Sequence, residues 1–213
     1  MRQLSITLIL FALLLATVIF VAGISIGSMI DKGNTDELGQ KISSLSDRTN
    51  ANTAIMLLEN SSEYCPLLDT DLEQIDSDAN YLSYQIAYLE ETKEVEVTDL
   101  KSRYFNLELN SYLLSNRVRT LCGENFSTIL YFYSNKNCLL DCREQGAQLL
   151  ELRKDTNFWV KIYSFDNEIG SPAATVLAKK FNVTKYPSVV VNGKTYEGVL
   201  DAGKLKTALS QAQ

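Results

Sequence analysis

The apolar positions of the chain form three patterns, and the first is a long uninterrupted run near the N-terminus. Residues 4–30 contain no charged side chain. This run exceeds the ~20 residues that cross a bilayer as a helix, and it also exceeds the apolar region of a cleaved signal peptide, about 7–15 residues. The pattern therefore predicts an uncleaved N-terminal transmembrane helix over residues 1–31, through which the protein contacts the membrane.

The second pattern is an alternating four-three spacing of apolar or small residues, which is typical of a coiled-coil seam. It occurs twice, first at Leu68, Leu72, Ile75, Ala79, Leu82, Ile86 and Leu89, then at Leu100, Tyr104, Leu107, Ser111, Leu114, Val118 and Leu121. The β-branched residues between 92 and 98 favour a turn. We therefore expect an antiparallel coiled-coil hairpin, about residues 66–92 and 98–121, inside a helical region 32–122. The seam also offers a surface for a homo-oligomer, and a weaker pattern predicts a third helix over residues 34–60.

The register of this hairpin makes a prediction about two of the four cysteines. Pairing Leu68 with Leu121, so that the two seams align throughout, also places Cys65 opposite Cys122. We therefore expect a structural Cys65–Cys122 disulfide at the open end of the hairpin. The alternatives are two unpaired buried thiols, or a single long stalk with intermolecular disulfides. A stapling disulfide implies an oxidising compartment, so we expect a cytoplasmic N-terminus and an extracytoplasmic C-terminal domain. The charges flanking the apolar run do not settle this orientation.

The third pattern begins at about residue 123, where short apolar runs alternate with Gly, Pro and Asn. Glycine is absent between Gly39 and Gly123, which is typical of helix, whereas the later texture is typical of an α/β domain. A buried-strand run over residues 127–133 precedes Cys138 and Cys142. A helix, a strand, a proline-capped helix and the segment 186–193 follow, and a short strand and a last helix complete the order. We therefore expect a separate domain over residues 123–213.

This order of a strand, a dicysteine, and then helices, strands and a proline-led strand resembles the thioredoxin superfamily. The resemblance is strongest over residues 177–209, LAKKFNVTKYPSVVVNGKTYEGVLDAGKLKTAL. It covers about residues 125–213 and does not include the preceding helices. The resemblance implies a thioredoxin-like α/β fold, in which Cys138 is the attacking thiol and Cys142 the resolving thiol. It also implies that Tyr186 and Pro187 form a substrate-binding loop with a cis proline.

Elementary electrostatics agrees with these roles for the cysteines. A cysteine just before a helix N-terminus feels the positive end of the helix dipole, which lowers its pKa and populates the reactive thiolate. Lys136 and Arg143 act in the same direction, and Asp141 opposes them. The chain departs from the family in having three residues between the cysteines instead of two, and Asn137 where a tryptophan is usual. The predicted strand before them also lacks the buried acid of many thioredoxins.

Composition removes several classes of function. The chain has no histidine, which excludes Ser-His and Cys-His catalysis and histidine-ligated metals, so we expect no metal site and no cofactor. A net charge of −6 argues against nucleic-acid binding.

The predicted fold class is thus a thioredoxin-like α/β C-terminal domain preceded by a transmembrane helix and an all-α antiparallel coiled-coil hairpin. The favoured function is a membrane-tethered thiol–disulfide oxidoreductase that exchanges with thiols or disulfides of exported proteins and with a redox partner. One alternative is a non-catalytic interaction module with structural disulfides. Another is a Sco-type metallochaperone, which uses a CxxxC pair but also needs the histidine that this chain lacks.

Overall fold

The computed structural model describes residues 6–58, 62–156 and 159–211 of the chain. Its elements in chain order are α1 (Ile6–Leu58), α2 (Cys65–Thr92), α3 (Thr98–Cys122), β1 (Ser127–Tyr133), α4 (Leu139–Asp155), β2 (Val160–Asp166), α5 (Pro172–Lys180), β3 (Ser188–Val191), β4 (Lys194–Glu197) and α6 (Ala202–Gln211). Short 3₁₀ turns at Ser62–Tyr64 and Asn167–Ile169 follow α1 and β2. Of the described residues, 71% are helical, so the sheet is the smaller part of the described structure.

The structure does not support the predicted transmembrane helix. The uncharged run is not an element of its own, because α1 continues without interruption from Ile6 to Leu58 and takes in the charged residues that follow the run. Across the described part of the chain, no helix combines the length and the sustained apolarity that a bilayer crossing needs. The predicted fold class, which began with that span, and the predicted single-pass location are therefore wrong. Residues 1–5 of the predicted anchor lie outside the described residues.

The later part of α1 packs against the helices that follow it. Leu38, Ile42 and Leu45 are buried there, and Arg48 forms an ion pair with Asp71 of α2. Residues 34–58 of the predicted third helix are thus the second half of α1, and residues 59–60 of that prediction lie outside the described residues. Its apolar stripe lies in the same core as α2 and α3.

Helices α2 and α3 fold back on each other around a short turn. All seven positions of the first apolar series are buried on α2. Helix α2 ends at Thr92, and Glu94 in the turn adopts a left-handed conformation with φ +53°. Helix α3 ends at Cys122, and its C-cap Gly123 has a φ of +70°, a conformation that glycine adopts without a steric penalty.

The strands form one sheet with the order β2-β1-β3-β4. Strand β1 lies in the middle, parallel to β2 and antiparallel to β3, and β3 and β4 form an antiparallel hairpin. A central strand buries both of its faces, which explains the continuous apolar run of β1. Ile129 and Tyr131 face one side of the sheet, and Leu130 and Phe132 face the other.

The two faces of the sheet have different coverings. On one face, α4 and α6 contribute Leu149, Leu152 and Leu205 to a core with Ile129. On the other face, α5 and the helices α1 to α3 form one continuous core with the sheet. The helical region therefore shares its core with the sheet, although the chain changes texture at Gly123.

Helix α3 makes this continuity possible because it buries two stripes. One stripe faces α2, and the second faces β2. The residues of the second stripe are Lys101, Phe105, Glu108, Tyr112 and Ser115. The ring of Phe105 lies 5.8 Å from that of Phe165, and the Ser115 and Tyr163 hydroxyls are hydrogen-bonded at 2.6 Å.

Candidate functional site

The four cysteines form two disulfides at opposite ends of β1. Cys65 and Cys122 are bonded at the open end of the α2–α3 hairpin, with a Cα–Cα distance of 5.5 Å. This pair precedes β1, whereas Cys138 and Cys142 follow it, and their Cα atoms are 5.4 Å apart. Seven residues of strand separate the two pairs, a length of about 20 Å at ~3.3 Å per residue. The two disulfides therefore belong to different sites.

Cys138 and Cys142 occupy the first turn of α4. Cys138 is the N-cap residue, and its carbonyl accepts the first helical hydrogen bond from the Cys142 amide at 2.7 Å. Cys138 is half-buried, while Cys142 is buried. The Tyr131 hydroxyl donates to the Cys142 carbonyl at 2.5 Å, which ties the helix start to the central strand. The outer sulfur thus belongs to Cys138 and the inner one to Cys142.

The two residues that follow Cys138 are apolar and exposed. Leu139 and Leu140 keep 44% and 79% of their surface accessible. Leucines so exposed beside a disulfide form an apolar surface next to the outer sulfur. Nothing in the sequence pattern had assigned them a role beyond lengthening the spacer.

The loop that carries Cys138 is organised by one buried hydroxyl. The Ser134 hydroxyl accepts hydrogen bonds from the amides of Asn137 at 2.9 Å and Lys136 at 3.3 Å. It donates to Glu168 at 2.6 Å, and the same carboxylate oxygen accepts from the Asn137 side chain at 2.5 Å. These hydrogen bonds, led by that of Ser134, lower the pKa of Glu168. The loop conformation is therefore set by Ser134 together with an acid from the turn after β2.

The predicted substrate-binding loop lies at the same end of the sheet. The Tyr186–Pro187 peptide bond is cis. Because Ser188 pairs with Phe132, Pro187 lies beside the end of β1 from which the cysteine loop departs. The side-chain amide of Asn167 donates to the Tyr186 hydroxyl, so the turn after β2 contacts both loops. Partial burial raises the pKa of Tyr186. The fold thus brings the cysteine pair and this loop to one edge, but it keeps Cys65 and Cys122 away from them.

Beneath this edge lies a buried ion cluster that sequence reasoning missed. The Lys101 ammonium lies 2.9 Å from a carboxylate oxygen of Asp166 and 2.9 Å from one of Glu90. The Lys101 and Asp166 side chains are almost fully buried. Asn135 of the cysteine loop donates to the other Glu90 oxygen at 3.3 Å. A buried acid, Asp166, therefore lies at the end of β2, and the Lys101 ammonium from α3 is its counterion.

A sequence signal for this cluster did exist. The second buried stripe of α3 repeats the four-three spacing of the first, one residue further along. Lys101 and Glu108 belong to that stripe, and their charges hid it from a search for apolar residues. The Ser134 hydroxyl had no comparable signal, because its role depends on a turn from a different strand.

Comparisons with known proteins give limited similarity. No protein-family model matches the chain. No curated protein matches it either. One similar solved structure, described as "Structural insights into thioredoxin-2: a component of malaria parasite protein secretion machinery", is 21% identical, covers 41% of this chain and 84% of its own, and has a TM-score of 0.34. Another, described as "Structure of a malarial protein", is 20% identical, covers 41% of this chain and 98% of its own, and has a TM-score of 0.34.

Proposed function

We propose that the chain is a thiol–disulfide oxidoreductase that acts on protein disulfides through Cys138 and Cys142. The observation that carries this proposal is the disulfide across the first turn of α4, with Cys138 half-buried at the N-cap and Cys142 buried. A purely structural disulfide needs no such asymmetry. An exchanging pair does, because an outer thiolate must reach the substrate while an inner thiol waits to resolve the complex.

The exchange proceeds in two balanced steps. In the reduced protein, the Cys138 thiolate attacks one sulfur of a substrate disulfide, which forms a mixed disulfide and releases the other substrate sulfur as a thiolate. The Cys142 thiolate then attacks the Cys138 sulfur, which forms the Cys138–Cys142 disulfide and releases the second substrate thiolate. Two electrons pass from the cysteine pair to the substrate, and a dithiol partner restores the reduced pair. The reverse sequence oxidises a substrate dithiol.

The surroundings of Cys138 favour its role as the attacking group. Helix α4 has 17 residues, and the positive end of its dipole points at the N-cap position, where it stabilises a thiolate. The exposed side chains of Lys136 and Arg143 add positive charge, and that of Asp141 subtracts from it. The exposed Leu139 and Leu140 provide an apolar contact surface for a substrate polypeptide.

Trapping the mixed disulfide tests the proposal. A Cys142→Ser variant cannot resolve the complex, so it should accumulate mixed disulfides with a test protein that has been reduced and then reoxidised. These adducts should be visible on non-reducing gels and should be reversed by dithiothreitol. Cys138→Ser is the matched control, and it should trap nothing. If neither variant, or both equally, formed adducts, the assignment of an attacking and a resolving thiol would be wrong.

A redox titration gives an independent answer. A working couple should have a reduction potential above about −300 mV, because structural disulfides typically have reduction potentials below this value. Using a Cys65→Ser/Cys122→Ser double variant leaves a single pair to titrate. A potential well below that limit would favour a non-catalytic module in which both disulfides are structural.

A further inference from the structure

A cleft lies along the outer edge of β2, at the opposite end of the sheet from Cys138. It has a volume of about 710 Å³ and lies between β2 and the helices α2 and α3. Its size falls in the usual range of binding pockets, roughly 300–1,000 Å³. The residues that matter for the argument are Asp69, Glu73 and Tyr84 of α2, Glu124 after α3, and Trp159 and Ile162 along β2. We call it the β2 cleft.

The backbone of β2 turns hydrogen-bonding groups towards this cleft. β2 is the first strand in the sheet order, so it pairs with β1 on one side and with no strand of the described structure on the other. The Trp159 carbonyl accepts a hydrogen bond from the Ser127 amide of β1 at 3.0 Å. The backbone groups of residues 159, 161 and 163 therefore point towards β1, and those of the alternate residues point away from it. The outward amide of Ser164 donates to Glu108 at 3.0 Å. The outward backbone amides and carbonyls of Val160 and Ile162 lie along the cleft.

The charges of the β2 cleft are unbalanced. Both of its basic side chains are engaged: Lys161 forms an ion pair with Asp76, and the Arg153 guanidinium donates to the side-chain oxygen of Asn80. No ion pair reaches Asp69, Glu73 or Glu124 from any residue in the described ranges 6–58, 62–156 and 159–211. The cleft therefore keeps an excess of negative charge that a basic ligand would complement.

The rim of the cleft is aromatic. Trp159 is the only tryptophan of the chain, and 57% of its surface is exposed. Tyr84 on the facing helix is 62% exposed. Lysine and arginine side chains stack favourably on such rings. Acid groups, aromatic rings and a strand edge that pairs with no other strand of the sheet thus occur together on one surface.

We propose that the β2 cleft is a docking site for an extended, Lys- or Arg-bearing segment of a partner protein, which adds to the sheet as a strand beside β2. The added strand would pair its backbone with Val160 and Ile162, the mode of recognition called β-augmentation. Its basic side chains would lie against Asp69, Glu73 and the Trp159 ring. This function is independent of the cysteine pair, because the cleft lies at the far end of the sheet.

Synthetic peptides test the proposal on the full, oxidised chain. The probe is a capped hexapeptide of alternating Arg and Val, and binding is followed by Trp159 fluorescence and by calorimetry. Its matched controls are alternating Glu and Val, which has the wrong charge, and alternating Arg and Pro, which has lost half of its backbone donors. The Arg-Val peptide should bind, its affinity should fall with added salt, and both controls should bind at least tenfold more weakly.

Variants and amide exchange locate the site. Asp69→Asn/Glu73→Gln should weaken binding about 2- to 20-fold, as expected for the loss of two exposed charge pairs. Glu91→Gln, an exposed acid near the end of the same helix, should leave binding unchanged. Hydrogen exchange at Val160 and Ile162 should slow when the peptide binds. Equal binding of the Arg-Val and Glu-Val peptides, equal effects of the two variants, unchanged exchange at β2, or a peptide-independent dimer that buries Trp159 would each overturn the proposal.

Discussion

The most informative single substitution is Glu108→Gln, because Glu108 is a fully buried acid between α3 and the sheet. Its carboxylate accepts from the Tyr104 hydroxyl at 2.7 Å and from the Ser164 amide at 3.0 Å. Burial raises the pKa of Glu108 to about 8, against an ordinary 4.5. Those hydrogen bonds and Arg153 act against this rise in pKa, while Asp76 on α2 adds to it.

The direction of the effect on stability follows from proton linkage. Between pH 4.5 and pH 8 the unfolded chain loses the Glu108 proton while the folded chain keeps it, so the free energy of unfolding falls as the pH rises. At about 1.36 kcal/mol per pH unit, the loss between pH 4.5 and pH 7 is about 3 kcal/mol. Burial also raises the pKa of Asp76, which adds a slope of the same sign.

The glutamine variant should remove the Glu108 part of this slope. A glutamine amide can donate to the Tyr104 oxygen, and its carbonyl can accept from the Ser164 amide, so the hydrogen bonds survive. Urea unfolding at pH 5, 6, 7 and 8 should show wild type and variant converging at pH 5, with the variant more stable by about 3 kcal/mol at pH 7.

Glu91→Gln, at an exposed position on α2, is the control and should follow the wild-type curve. Parallel curves for wild type and Glu108→Gln would refute the reasoning. They would mean that Glu108 is ionised in the folded protein throughout this range.

Two further predictions concern stability. Replacing Cys65 and Cys122 together by serine should lower the free energy of unfolding by about 2–4 kcal/mol, because the bond closes a long loop with a sequence separation of 57. Calorimetry against the oxidised wild type checks this, and no change would mean that the bond does not form. Lys101→Met should cost about 3–5 kcal/mol, since it leaves the buried Asp166 carboxylate without its cation. Arg103→Met, which breaks only an exposed i,i+4 pair with Asp99, is its control, and equal losses would show that Lys101 is not stabilising.

The sequence was most informative where structure depends on near neighbours in the chain. The seven apolar positions of α2 are read from local helical spacing, and all of them are buried. The turn between α2 and α3 also follows from local composition, with α2 ending at Thr92 and α3 beginning at Thr98. In the sheet, the apolar run before Cys138 forms the central strand β1, as such runs commonly do in parallel pairs.

What could not be predicted depends on contacts between distant elements. Burial of Lys101 and Glu108 follows from the sheet face that α3 covers, and no spacing rule states which face that is. The bond from Ser134 to Glu168 joins two loops 34 residues apart. The transmembrane prediction failed for a related reason, since it used the composition of one run without the helix α1 that continues past it.

The double burial of α3 has a consequence for how the protein can be divided. Tyr163 and Phe165 of β2 are covered by Tyr112 and Phe105 of α3. Cutting the chain at Gly123 would remove α3 and expose these rings to solvent, which would turn part of the native core into an apolar surface. The α/β half therefore cannot be expressed or transferred without the helices before it, because those helices contribute to its stability as its own strands do.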